Sequence, residues 1–131
     1  KFTDILEKKL SIYHVYKSSL NGVLGIEKMP EDIPDSLHSN WLFGLILNDC
    51  LDRDDIMREL LNYGVETRPF FYSLHEMPPF ESFKCSSELK WSKSISSKGL
   101  SLPTSTTLNT EDLNSIIGSL IQILTKKFAK A

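Results

Sequence analysis

The sequence predicts an α/β fold, a two-layer sandwich in which a small sheet of about three strands packs against helices. Three observations carry this. Apolar residues recur at three- and four-residue steps at both ends of the chain, as they do on one face of a helix. The apolar run 41–47 is too short for an ordinary helix and is bounded by polar clusters, which fits a strand buried on both faces or nearly so. Two further β-rich stretches, at 65–72 and 100–103, alternate with segments of helical pattern.

Taken in order, Phe2, Ile5, Leu6, Leu10, Tyr13, Tyr16 and Leu20 form the stripe of an opening helix that ends at Asn21-Gly22. Residues 23–40, with Pro30 and Pro34 among acids, read as an irregular surface connection leading into the central strand 41–47. Asp52 caps a second helix from Arg53, with Asp54 and Asp55 near its positive end and Gly64 as a left-handed terminator. A second strand starts at Val65 and runs out into a loop by Tyr72, and Met77-Pro78-Pro79 stops regular structure. A short helix over about 87–98 closes at Gly99, and Leu100 to Leu102 make a third strand ended by Pro103. Asn109, with Asp112 three positions on, caps a last helix whose apolar face is Leu113, Ile116, Ile117, Leu120, Ile121 and Leu124; Lys126, Lys127 and Lys130 suit its negative end.

Composition bounds the function. The 131 residues are 40% apolar, 24% charged and 10% aromatic, which excludes collagen-like, disulfide-scaffold and wholly disordered chains. One domain of this length buries roughly two-thirds of the surface its unfolded form exposes. Fifteen basic residues against seventeen acidic ones give a net charge of −2, with the cations scattered, so no nucleic-acid partner is expected. No apolar stretch approaches the roughly twenty residues of a membrane span, and no targeting core precedes the first helix, so a cytoplasmic protein without a membrane partner is expected. The chain does not begin with Met although a helix is already under way, which suggests a piece of a longer or processed protein. Cys50 and Cys85 lack second ligands at metal-like spacing and are expected as reduced thiols, with no metal site.

The densest candidate for chemistry is Glu66-Thr67-Arg68-Pro69-Phe70-Phe71-Tyr72-Ser73-Leu74-His75. A guanidinium fork suits carboxylate or phosphate, and adjacent aromatics supply flat walls that exclude water. The combination fits a pocket for an anionic or sugar-like ligand. Equally open is a structural reading, with Phe70, Phe71 and Tyr72 in a core or subunit interface and Arg68 paired with Glu66 or Asp55. His75 could serve as a donor or base, but no nucleophile with a positioned acid can be argued, and a merely hydrogen-bonded imidazole is the plainer reading. His14 reads as surface, and His38 stands at the strand entrance. Isolated glycines rule out a phosphate loop, and Asp49, Asp52, Asp54 and Asp55 lack the pattern of a calcium loop, so helix capping explains them better.

The motifs Trp41-x-Phe43-Gly44-Leu45-Ile46-Leu47, Arg53-Asp54-x-Ile56-Met57, Gly64-Val65-Glu66-Thr67-Arg68-Pro69-Phe70-Phe71-Tyr72-x-Leu74-His75-x-Met77-Pro78-Pro79-Phe80 and Gly99-Leu100-x-Leu102-Pro103-Thr104 follow one another through nearly the whole chain. Together they resemble the C-terminal part of the nucleotide-sugar aminotransferases, in particular the perosamine synthetase branch of that pyridoxal-phosphate-dependent, fold-type I group. The resemblance implies that residues 1–22 are a linker helix from a large domain and that 23–131 are the C-terminal small domain. It implies an intact enzyme, a homodimer, that moves an amino group, with glutamate as donor, to a nucleotide-linked 4-keto sugar in polysaccharide or O-antigen sugar biosynthesis. Pyridoxal phosphate, its lysine and its paired acid would lie in the large domain, leaving no catalytic or cofactor-binding residue here and a fragment inactive alone.

By the same resemblance Arg68 to His75 face the active-site cleft. His75 contacts the sugar nucleotide, Arg68 and Tyr72 position the substrate or the donor's carboxylate, and Phe70, Phe71 and Trp41 wall the pocket. Ser73 stands where the family usually has proline, which loosens the backbone before His75. The alternative is a free-standing binding or interaction module that keeps the fold without the catalytic half.

Overall fold

The computed structural model describes residues 1–36, 38–80, 82–83 and 89–130. Helix α1, Phe2–Leu20, follows the predicted stripe, but only its second half is enclosed: Ile12, Tyr13, Tyr16 and Leu20 are buried, whereas Phe2 and Ile5 stand exposed. Strand β1, Ile26–Lys28, lies within the stretch expected to be irregular; it pairs with β2, Phe43–Leu47, and its three residues are too few to show any alternation.

Helix α2, Arg53–Asn62, starts at the expected cap, where the Asp52 side chain accepts from the Asp55 amide. Strand β3 is only Arg68–Pro69, so it starts later than the expected Val65 and gives way to the loop well before Tyr72. Pro69 has no N–H to give to a second neighbour, so the strand sits at the sheet edge. Two single 3₁₀ turns, Leu74–Glu76 and Pro78–Phe80, occupy the stretch where no regular element was expected.

Helix α3, Lys90–Lys98, runs directly into β4, Gly99–Leu102, and the start expected near 87 lies outside the described residues. Helix α4, Thr110–Phe128, opens with the predicted capping box: the Asn109 side chain accepts from the Asp112 amide and the Asp112 carboxylate accepts from the Asn109 amide.

The sheet therefore has four antiparallel strands, one more than expected, in the order β1-β2-β4-β3. Its two-layer character is as predicted. Phe43, Leu45 and Leu47 of β2 and Leu100 and Leu102 of β4 turn toward α1, α2 and α4 and are fully buried with Tyr16, Leu60 and Leu120. Burying each such side chain contributes about 1.5–3 kcal/mol. The Tyr16 ring packs 5.1 Å from that of Phe43, and its hydroxyl donates to the Pro103 carbonyl at 2.8 Å. Burial pushes the Tyr16 phenol well above its ordinary range.

Ion pairs tie the helices together at the rim. Lys127 of α4 bridges Asp55 and Glu59 of α2, so this lysine serves an interhelical contact as well as the helix dipole. No helix among the described residues is long and apolar enough to cross a membrane.

Candidate functional site

The face of the sheet turned away from α1, α2 and α4 carries Gly44 and Ile46 of β2 and Gly99 and Ser101 of β4. Residue 68 pairs with Ser101 and residue 69 with Leu100, and the Phe70 amide continues the ladder by donating to the Gly99 carbonyl at 2.9 Å. Beyond Phe70 the chain leaves the sheet. It is held again by α3: Ser92 Oγ donates to Oγ of the buried Ser73 at 3.3 Å, and Lys93 pairs with Glu76 at 3.2 Å. The first 3₁₀ turn closes between these ties, with the Glu76 amide donating to the Ser73 carbonyl at 2.9 Å.

Two aromatic side chains of this segment, and Trp41 beside it, stand outward. Phe71 is 82% exposed, Tyr72 67% and Trp41 66%, so none of the three is a core residue. Trp41, Phe70 and Phe71 border one groove over the open sheet face, floored by Gly44 and Ile46 and flanked by Met29 and Ile33, with a cavity volume of about 770 Å³. That volume lies within the range of small-molecule sites, and the lining is mostly apolar, as such sites are.

The other predicted residues do not share that groove. Arg68 borders a neighbouring depression with Ser105 and Leu108, and Tyr72 borders another with Arg53, Glu76 and Lys93. His75 is half-buried on the first 3₁₀ turn. The six residues thus enclose no single cavity: three border the groove over the open face, and the others lie beside it.

The structural reading of Arg68 gains little. Its guanidinium stands 3.9 Å from Glu66 with both side chains nearly four-fifths exposed, a geometry worth little in water. Asp55, the other possible partner, is taken by Lys127 and Arg58, and these contacts hold its carboxyl below the usual range, the Lys127 hydrogen bond most strongly. His14 is exposed as expected, and His38 Nδ1 accepts from the Asn40 amide at 2.8 Å at the entrance to β2. Asn40 is buried and sits in the left-handed region, which an Asn tolerates better than most residues.

The acids read as caps are engaged in structural contacts. Asp52 caps α2, Asp54 pairs with Arg53 and Asp49 with Lys98. Among the described residues no three metal-ligating side chains come together. Cys50 is an exposed free thiol, and Cys85 lies outside the described residues.

A pyridoxal phosphate site needs an unencumbered lysine amine aimed at the cofactor aldehyde. Lys9 is the described lysine whose pKa is lowered, through burial, which is one signature of a reactive amine. Its ammonium, however, donates to the Thr104 carbonyl at 2.5 Å, Thr104 Oγ1 at 3.1 Å and the Trp41 carbonyl at 3.1 Å, which uses all three N–H bonds. Lys17, Lys98 and Lys127 are held by carboxylates, which raise their pKa. None of these four lysines offers such an amine.

Two features of this region escape sequence reasoning. One is the Lys9 strut from α1 to the entrance of β2, two of whose three partners are backbone carbonyls and so leave no residue-type signal. The other is the pair of glycines under Phe70; the isolated Gly44 and Gly99 are visible, but their adjacency depends on the β2–β4 register.

Comparison with known proteins places this geometry. Over 128 residues the chain is 24% identical to a GDP-perosamine synthase of Escherichia coli O157:H7, covering 95% of this chain and 33% of the relative. It is 33% identical over 101 residues to the GDP-perosamine synthase of Vibrio cholerae, covering 76% of this chain and 27% of that protein. In fold it superposes on the aminotransferase TlmJ of Streptoalloteichus hindustanus with a TM-score of 0.82 at 22% identity, over 96% of this chain and 33% of the other. The chain thus spans about a third of the length of the curated relatives it matches. A family model matches residues 1–121, and on that match the chain belongs to the DegT/DnrJ/EryC1/StrS aminotransferase family.

Proposed function

We propose that this chain is the C-terminal small domain, residues 23–131 preceded by a linker helix at 1–22, of a pyridoxal-phosphate-dependent aminotransferase acting on a nucleotide-linked 4-keto sugar. The observation that carries this reading is that Trp41, Phe70 and Phe71 border an apolar groove over the open sheet face while the cation Arg68 stands exposed beside it, as half of a cleft would. The exposed Phe2 and Ile5 of α1 suit the same reading, since a preceding domain would cover them.

In this reading Trp41, Phe70 and Phe71 wall the substrate and exclude water. Arg68 offers its fork to a phosphate or a donor carboxylate, Tyr72 helps to position the substrate, and His75 gives a hydrogen bond to the sugar nucleotide. Pyridoxal phosphate, bound by the remainder of the protein, supplies the electron sink for amino transfer. The intact protein is a cytoplasmic homodimer that takes its amino group from glutamate and serves polysaccharide synthesis.

The test is amino transfer by the intact gene product loaded with pyridoxal phosphate, with glutamate and a nucleotide-linked 4-keto sugar. The expected result is a nucleotide-linked amino sugar. In the same experiment this chain alone, treated with pyridoxal phosphate and borohydride, should fix a pyridoxyl group to no single lysine. An intact product that binds the sugar nucleotide but transfers nothing would favour a binding module.

A further inference from the structure

We infer that Gly44 and Gly99 are positioning residues: together they form a socket in the open sheet face that seats the Phe70 ring, and this seat fixes where the Arg68–His75 strip leaves the sheet. The two glycines lie on adjacent strands, diagonal to each other, because Gly44 pairs with Ser101 and Gly99 with Ile46. A Cβ added at Gly44 would fall 2.6 Å from Phe70 Cζ and 2.8 Å from Cε1, and the three atoms nearest to it all belong to that ring. A Cβ at Gly99 would strike Cγ and Cδ2 of the same ring, and would lie 2.7 Å from the Ile95 carbonyl.

Backbone conformation does not explain either glycine. The left-handed glycines of this chain are Gly22, Gly25 and Gly64, so at positions 44 and 99 the missing side chain is required for space alone. Glycine inside a strand weakens it and often marks close approach of another group, and here that group is an aromatic ring of the same chain. Phe70 is thereby held twice, by its amide on the Gly99 carbonyl and by its ring over both glycines.

The far end of the segment is held by α3 through Ser73 and Glu76. With both ends fixed, Phe71, Tyr72 and His75 have a defined place from which to meet a ligand. The socket does not depend on what that ligand is; its effect on a sugar nucleotide rests on the function proposed above.

Gly44→Ala isolates the socket, because its clash is with the tip of the ring only. Phe70→Leu removes the Cε and Cζ atoms that the new methyl group would meet. In this chain, followed by amide hydrogen exchange, Gly44→Ala should speed exchange of the Phe70 amide about tenfold, as expected for overpacking at a close contact. Adding Phe70→Leu should bring the rate back to that of the Phe70→Leu single variant.

Unchanged exchange in Gly44→Ala, or a double variant no better than Gly44→Ala, would overturn the socket; the first result is the one expected if the glycine made room for a ligand instead. In the intact enzyme Gly44→Ala should raise KM for the nucleotide sugar about tenfold with a smaller change in kcat, and in the Phe70→Leu background the same substitution should add little to the KM of Phe70→Leu alone. Wild-type KM in Gly44→Ala would overturn the positioning role. An intact protein that transfers no amino group would refute the proposed function and leave the exchange result standing.

Discussion

On the helix-covered face of the sheet, Leu45, Leu100 and Leu102 are at most 1% exposed, whereas on the opposite face Gly44 and Gly99 carry one half-buried ring, Phe70, and the neighbouring Phe71, Tyr72 and Trp41 are two-thirds or more exposed. The same four strands thus serve two ends. One face holds the apolar contacts that keep the chain folded, and the other spends little burial and keeps polar and aromatic groups available. Stability and ligand contact should therefore respond to different substitutions.

The largest separation is expected from a pair of truncations. Leu100→Ala, which opens a hole between β4 and the helices, should lower unfolding free energy by about 2–5 kcal/mol in denaturant titration. Phe71→Ala on the open face should stay within about 0.5 kcal/mol of wild type. Equal losses would erase the distinction between the faces.

A smaller effect sharpens it. Tyr16→Phe leaves the half-buried Pro103 carbonyl without this donor and should cost about 1–2 kcal/mol at neutral pH. Because burial raises the Tyr16 pKa, the folded chain keeps this phenol protonated after the unfolded chain has begun to lose its proton near pH 10. That part of the wild-type stability is present below about pH 10 and declines above it. Tyr16→Phe should lack this alkaline component, which unfolding midpoints at pH 8 and 11 would reveal.

The smallest change is expected at the rim. Lys127→Met removes the stronger of the two partners that hold Asp55 below its usual range. A lowered carboxylate pKa stabilises the fold above the unfolded value of about 4 and ceases to do so as the pH falls through the lower folded value. The wild-type advantage over Lys127→Met should therefore be present at pH 7 and shrink toward pH 3, read as a difference in thermal midpoint.

Much of the helix-covered face was legible in the sequence, and physical chemistry explains why. The caps Asp52 and Asn109 are local signals whose side chains satisfy helix amides a few residues away, so α2 and α4 begin where predicted. Period-three-and-four apolar spacing located α1 and α4, although it could not tell that Phe2 and Ile5 lie beyond the packed part of α1. β1 escaped because strand pairing is decided by β2, not by Ile26-Glu27-Lys28 itself. β3 was overextended because Val65 to Tyr72 has β composition while only Arg68–Pro69 finds ladder partners.

The candidate strip was legible as chemistry and not as geometry. Residue types marked Arg68, Phe70, Phe71, Tyr72 and His75, but their distribution over a groove and two neighbouring depressions depends on long-range register and on the hold of α3. The seat of Phe70 is a further case, since the two glycines are far apart in sequence.

The central claim, that the segment Arg68 to His75 meets the sugar nucleotide, is tested most directly by His75→Ala and Arg68→Ala in the intact enzyme, with kinetics and thermal midpoint measured on the same samples. Both residues lie outside the apolar core, so both variants should melt as the wild type does. In each, kcat/KM for the nucleotide sugar should fall at least about tenfold. Wild-type kinetics in both variants would contradict the account.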